Sequence, residues 1–145
     1  MIINKSFKRI GDTSDCVSGP FVAALMEREP IHQHTTPEAK EEAFRRYFEG
    51  FTRYEYVVLD DAREIQAIMV IIDHFDCELG QQILCPTMAY SLKPGLLFGA
   101  YRWLYELARH HGIQWVMTTK TDGYTQTVTR KQIKTSSLEP NPSAL

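Results

Sequence analysis

LGQQILCPTMAYSLKPGLLFGAYRWLYELARHHGIQWVMTTK, residues 79–120, holds the order of elements on which the fold turns. Gln81 to Tyr90 reads as an apolar strand. It runs through a Lys93-Pro94-Gly95 turn and a small-residue step at Gly99-Ala100 into a helix whose apolar face is marked by Leu97, Ala100, Tyr101, Leu104 and Ala108. Gly112 suits a left-handed cap on that helix, and Ile113 to Thr119 is the next strand. The tight connection and the helix packed back on the sheet predict a parallel strand pair joined by a right-handed crossover. Pro86 removes a ladder donor and predicts a bulge around Cys85 to Thr87. The first turn of the helix carries unpaired N–H groups and a partial positive charge, so a phosphate or pyrophosphate there gains hydrogen bonds without a basic side chain.

Upstream of this stretch, Ile2 to Ile10 reads as a short strand and Gly11 to Ser14 as a loop. Ser18 can cap a helix that carries Pro20 in its first turn and runs to about Glu29, where Pro30 stops it. Thr35 and Glu38 have capping-box spacing around Pro37, and Ala43, Phe44, Tyr47, Phe48 and Phe51 give a second helix an aromatic stripe that ends near Gly50. From Arg53 the period becomes two. Tyr54, Tyr56 and Val58 alternate with neighbours that include Glu55, Asp60-Asp61 offers a turn, and Ile65 to Ile72 completes a hairpin. A turn at Asp73 to Asp76 leads to a strand expected from Glu78 to Tyr90. Downstream, Tyr124 to Ile133 alternates like an edge strand. Residues 134–145 carry Ser, Pro and Asn without periodicity and read as a tail on a single domain, 1–133.

At 145 residues, 43% hydrophobic and 23% charged, the composition is that of an ordinary globular chain and excludes low-complexity disorder for its body. A net charge of −2 exerts no global pull on nucleic acid or anionic lipid, so the local basic group Arg130, Lys131 and Lys134 would have to act alone. Cys16, Cys77 and Cys85 are an odd, widely spaced set and read as free thiols of a reducing compartment. The longest apolar run, Ile68 to Ile72, cannot span a bilayer and no signal segment is recognisable, so a cytoplasmic location is expected.

Antiparallel strands followed by one strand–helix–strand crossover with a glycine turn resemble the GCN5-related N-acetyltransferase (GNAT) family. The counterparts are Val57-Val58-Leu59-Asp60-Asp61, Leu92-Lys93-Pro94, Gly95 to Ala100 and Ala108-Arg109-His110-His111-Gly112, over roughly Ser18 to Lys120. The resemblance implies an α+β fold, a mixed and mostly antiparallel sheet with helices on both faces. It implies acetyl-CoA as cofactor, held at Leu92, Gly95, Leu97, Phe98, Gly99 and Ala100, and transfer of an acetyl group to an amine. It also gives Cys85, Pro86 and Thr87, or the residues just after them, the role of offering main-chain groups to the pantetheine and acyl carbonyl. Leu96 replaces the family's arginine or glutamine three residues before Gly99, and Tyr101 replaces a second small residue. Shortened chains of this type resemble proteins of tailed phages, which implies an alternative: a catalytically silent scaffold acting in a virion or on a host protein, in host cytoplasm or particle. A third class, a nucleotide- or phosphate-binding module, would use the same helix start without the bulged groove.

Glu78 is a candidate general base for an amine, or a solvated strand end. Tyr124 is a candidate acid for a departing thiolate, or a turn aromatic after Asp122-Gly123. Gly95 and Gly99 either admit a pyrophosphate or serve a turn and helix packing. His32 and His34 have the spacing of a metal pair without a third ligand, and His74 with Cys77 has less, so no metal is expected. His110-His111 answers the helix dipole. Cys85 is a candidate nucleophile or a buried strand thiol. Trp103 and Tyr105, if exposed, form an aromatic patch for a protein partner, and the tail is a second partner candidate.

Overall fold

The computed structural model of the chain describes residues 1–133 and builds them into one six-stranded sheet with helices on both faces, an α+β architecture. The order is β1 (Ile2–Lys8), α1 (Gly19–Arg28), a 3₁₀ turn (Pro30–His32), α2 (Pro37–Glu49), β2 (Arg53–Leu59), β3 (Ile65–Asp76), β4 (Gln81–Ser91), α3 (Phe98–His110), β5 (Trp115–Asp122) and β6 (Thr125–Gln132). Strand order in the sheet follows chain order. Neighbours are antiparallel except β4 and β5, which run parallel through the α3 crossover. The expected tail, 134–145, lies outside the described residues.

Local chemistry explains the element ends. Ser18 Oγ accepts from the Phe21 amide at 3.3 Å and starts α1. Thr36, rather than the expected Thr35, caps α2 through the Ala39 amide at 3.2 Å. Pro37 decides this, because its fixed φ and missing N–H fit the first helical position and leave the preceding residue as the cap. Asp60 Oδ1 accepts from the Ala62 and Glu64 amides, both at 2.9 Å, and closes the β2–β3 turn. β4 begins at Gln81 instead of Glu78, since residues 77–80 form the turn and Gly80 takes φ +69°. β5 begins at Trp115 instead of Ile113.

The period-two pattern of β2 and β3 divides two cores. Val57, Ile68 and Val70 meet Phe21, Leu25, Phe44 and Phe48 of α1 and α2. Tyr56, Val58, Met69 and Ile71 meet Ala100, Leu104 and Ala108 of α3. Because both faces are covered, Glu55 has no solvent side to turn to. Glu55 and Arg53 are fully buried and paired at 2.6 Å. Glu55 also accepts from Ser14 Oγ and from the Asp15 amide, both at 2.8 Å. Arg53 donates to the carbonyls of Phe51 at 2.9 Å and Asp12 at 2.7 Å. The bulge lies where Pro86 predicts it: Ile71 faces Pro86 and Val70 faces Met88, which leaves Thr87 as the extra residue. No helix among the described residues is long and apolar enough to cross a membrane.

Removing one member of a buried, hydrogen-bonded pair strands the other charge. Glu55→Ala is therefore expected to cost about 3–5 kcal/mol in urea denaturation. Glu42→Ala, which removes an exposed pair with Arg46, should stay within about 0.5 kcal/mol.

Candidate functional site

β4 and β5 are paired at a single register position, Leu84 opposite Val116. The bulge follows at once, and an extra residue beside a proline with no N–H turns β4 away from its parallel neighbour. The strands part into an opening of about 210 Å³. Its walls are residues 86–90 of β4 and 119–121 of β5, with Gln126, Tyr101 of α3 and Glu29 at the end of α1. Tyr47 Oη and Thr87 Oγ1, 2.6 Å apart, tie the bulge to α2. Glu29 is the carboxylate of the lining and Lys120 its ammonium. Burial, and then the charge of Glu29, push the Tyr90 phenol up to about 12, so it stays protonated. Burial also raises the Tyr101 phenol. The arrangement offers a ligand one carboxylate, one ammonium and neutral phenols beside the bulged strand.

The positions expected to hold a cofactor divide by what already occupies them. Gly95 turns the chain at φ +84°, a conformation that side chains resist. Leu97 begins α3 without a side-chain cap, so no side chain takes the first-turn amides. Phe98 is exposed at that turn, whereas Ala100 is fully buried in the α3 core. Leu92 has both main-chain groups engaged: its amide donates to the Gln66 carbonyl at 2.8 Å, and its carbonyl accepts from Arg28 Nη1. Gly99 abuts the sheet, where an added Cβ would overlap the Tyr56 hydroxyl. Of the two readings of Gly99, helix packing is the one with a visible neighbour. Leu96 packs into the α3 core, while Tyr101 lines the opening.

The two catalytic candidates lie apart. Tyr124 sits in the β5–β6 turn between the lining residues Thr121 and Gln126, and its hydroxyl is 2.6 Å from His34 Nε2. Glu78 does not line the opening. It lies in the β3–β4 turn, before β4 begins, and accepts from Arg130 Nη2 at 3.2 Å. Arg130 is taken mainly by Asp76, at 2.6 Å, and this guanidinium holds the Asp76 carboxyl below its ordinary range. The basic group expected at Arg130 and Lys131 therefore has its arginine already neutralised. Glu29, Gln126 and residues 119–121 carry no sequence signal of a site. Glu29 reads as a helix end before Pro30, and the threonines of β5 read as strand.

The remaining candidates resolve in structural terms. His32 and His34 do not converge: His34 reaches Tyr124, and His32 is buried between Phe44 and Tyr90, with its ring 5.0 Å from that of Tyr90. His32 Nε2 is 3.3 Å from Glu29 Oε2 but off the axis of a hydrogen bond, so neither ring nitrogen has a partner of good geometry. Burial lowers its basicity, Lys40 adds to this, and Glu29 opposes it. Among the described residues no three His, Cys, Asp or Glu side chains form a metal cluster. Cys85 is buried, and burial pushes its thiol up to about 11, which removes it as a nucleophile at neutral pH. Trp103 and Tyr105 are half-buried rather than an exposed patch. Trp103 packs on Tyr54 and Tyr56 with Lys5 Nζ over its ring, and Tyr105 lies under Lys131 Nζ. The sheet is wider than the helix above it, so aromatics on the flanks of α3 find strands beneath them.

In comparison with known proteins, no family model matches the chain and no curated protein matches it in sequence.

Two outcomes test this description. Gly99→Ala should cost about 1–3 kcal/mol of stability through overpacking. Adding Tyr56→Phe should recover most of that loss, because the same Cβ stands at an ordinary 3.5 Å from Tyr56 Cζ. The second concerns pH. The folded His32 has a pKa below its ordinary 6.5, so on acidification the unfolded chain takes the proton first. Its contribution is complete above about pH 6.5 and is lost as pH falls toward the folded value, so His32→Phe should flatten the decline in Tm between about pH 7 and pH 5.

Proposed function

We propose that the chain is an acyl-CoA-dependent N-acyltransferase with the opening between β4 and β5 as its active groove. The parting of this one parallel pair beside a bulge carries the reading, with the uncapped start of α3 following the same end of β4. The fit to acetyl-CoA is argued from that donor set. Main-chain amides of Phe98 and Gly99 would receive the pyrophosphate, since Ala100 behind them is buried, and main-chain groups of Thr87 to Tyr90 would line the pantetheine. When bound, the cofactor supplies the acyl group as a thioester. The chain's own contribution would be to orient the acyl carbonyl along β4, with Glu29, the carboxylate of the lining, taking the proton that the attacking amine gives up. Tyr124, close in the chain to groove residues though its hydroxyl meets His34, would give a proton to the departing thiolate and regain one from solvent. Acetyl is the acyl group and an amine the acceptor class.

One observation favours a second reading, a scaffold of the same shape that binds a protein, in a phage particle or on a host factor, and performs no transfer. Tyr101 takes part of the groove that a small residue would leave open, and its half-buried ring narrows the route from α3 to β4.

Titration calorimetry with acetyl-CoA separates the two. Active transfer predicts a Kd on the order of micromolar, lost in Thr119→Trp, which fills the groove from an exposed wall position and leaves the cores intact. Absence of heat at about millimolar ligand would sink the transferase reading and leave the scaffold.

A further inference from the structure

α3 ends at His110 while the strands beneath it continue, and the uncovered end of the sheet forms a separate pocket of about 350 Å³. This is within the size range of small-molecule sites. Phe7 of β1 and Tyr54 of β2 form one wall, with ring centroids 5.1 Å apart. Tyr54 Oη is 2.8 Å from His111 Nε2, a contact that fixes both rings across the mouth. Ile71, Leu84 and Ile113 give it an apolar floor. Asp73 stands at its edge, an exposed carboxylate on β3. The next acid along that strand, Asp76, is paired with Arg130, but Asp73 has no ion pair or hydrogen bond among the described residues. Its charge nevertheless acts on the pocket, since it adds to burial in raising the Tyr54 phenol. Neither the opening between β4 and β5 nor the first turn of α3 contributes to this pocket.

An unpaired carboxylate that shares a lining with two aromatic rings and an aliphatic floor is complementary to one chemistry, a cation carried on an apolar body. We propose that this pocket binds a small protonated amine, its ammonium held by Asp73 and the faces of Phe7 and Tyr54 and its hydrocarbon tail on Ile71, Leu84 and Ile113. Arg53 also lines the pocket, but its guanidinium is fully buried and occupied by Glu55 and the carbonyls of Arg9, Phe51 and Asp12, so the free charge is that of Asp73, which disfavours carboxylates and phosphates, and a neutral alcohol gains only the floor. The site is independent of any acyl transfer in the groove.

The probes are hexylammonium, 1-hexanol and hexanoate, three tails of one length with different heads. Titration of the full chain followed by amide chemical shifts should move Tyr54, His111 and Ile113 with hexylammonium, at an affinity about tenfold above that for hexanol, and hexanoate should not bind. Asp73→Asn, at an exposed position that leaves both cores intact, should reduce hexylammonium to the affinity of hexanol. Equal binding of hexylammonium and hexanol, a preference that survives Asp73→Asn, shifts confined to other residues, or no shifts at all would each overturn the proposal. So would concentration-dependent self-association that broadens these resonances without probe, which would assign the face to a second copy of the chain.

Discussion

The carboxylate of Glu55 has to be satisfied inside the protein, and much of the arrangement follows from how that is done. A charge with no access to water needs a cation and a full set of donors. Arg53 supplies the cation from the same face of the same strand, and the rest comes from Ser14 and Asp15. Arg53 in turn draws in the carbonyls of Arg9 and Asp12. The loop between β1 and α1 is thereby fixed to β2 by polar contacts, and α1 is delivered onto its face of the sheet with Phe21, Val22 and Leu25 inward. The apolar cores supply the driving force, and this pair sets where the first helix lies.

The elements that can be read from sequence are those set by neighbours in the chain. Ser18, Pro20, Pro86 and Gly112 act within a few residues of themselves, and the helix starts, the bulge and the left-handed cap stand where they place them. Thr36 was the exception, because two adjacent threonines compete for one cap and only the proline's geometry decides between them. Tertiary facts were less legible. The alternation of β2 marks Glu55 as an outward residue only for a sheet with one covered face, and here both are covered. Trp103 and Tyr105 are off the apolar stripe of α3, yet the breadth of the sheet reaches them.

The candidate site shows the same division. Its local parts, the bulge and the uncapped helix start, are written in Pro86 and in the Gly95 turn. Its assembled parts are not, because Glu29 is some sixty residues from β4 in the chain, and no local pattern distinguishes it from any glutamate at a helix end. Glu78 illustrates the converse. It has the right chemistry and lies near the right strand, but strand register sends it into the β3–β4 turn, where Arg130 answers it.

The single row that joins β4 to β5 has a mechanical meaning. β5 and β6 hold each other along eight registered pairs, whereas the rest of the fold holds the two of them by the Leu84–Val116 pairing, the burial of Val116 and Ile133 under α3, Lys131 over Tyr105, the Arg130 pair with Asp76 and Glu78, and the touch of Tyr124 on His34. Such a ribbon is paired with itself along its length and joined to the rest of the fold at one end. Its root is therefore apolar and its flank ionic: salt can weaken the exposed contact of Arg130 with Glu78, but Val116 and Ile133 stay anchored in the α3 core.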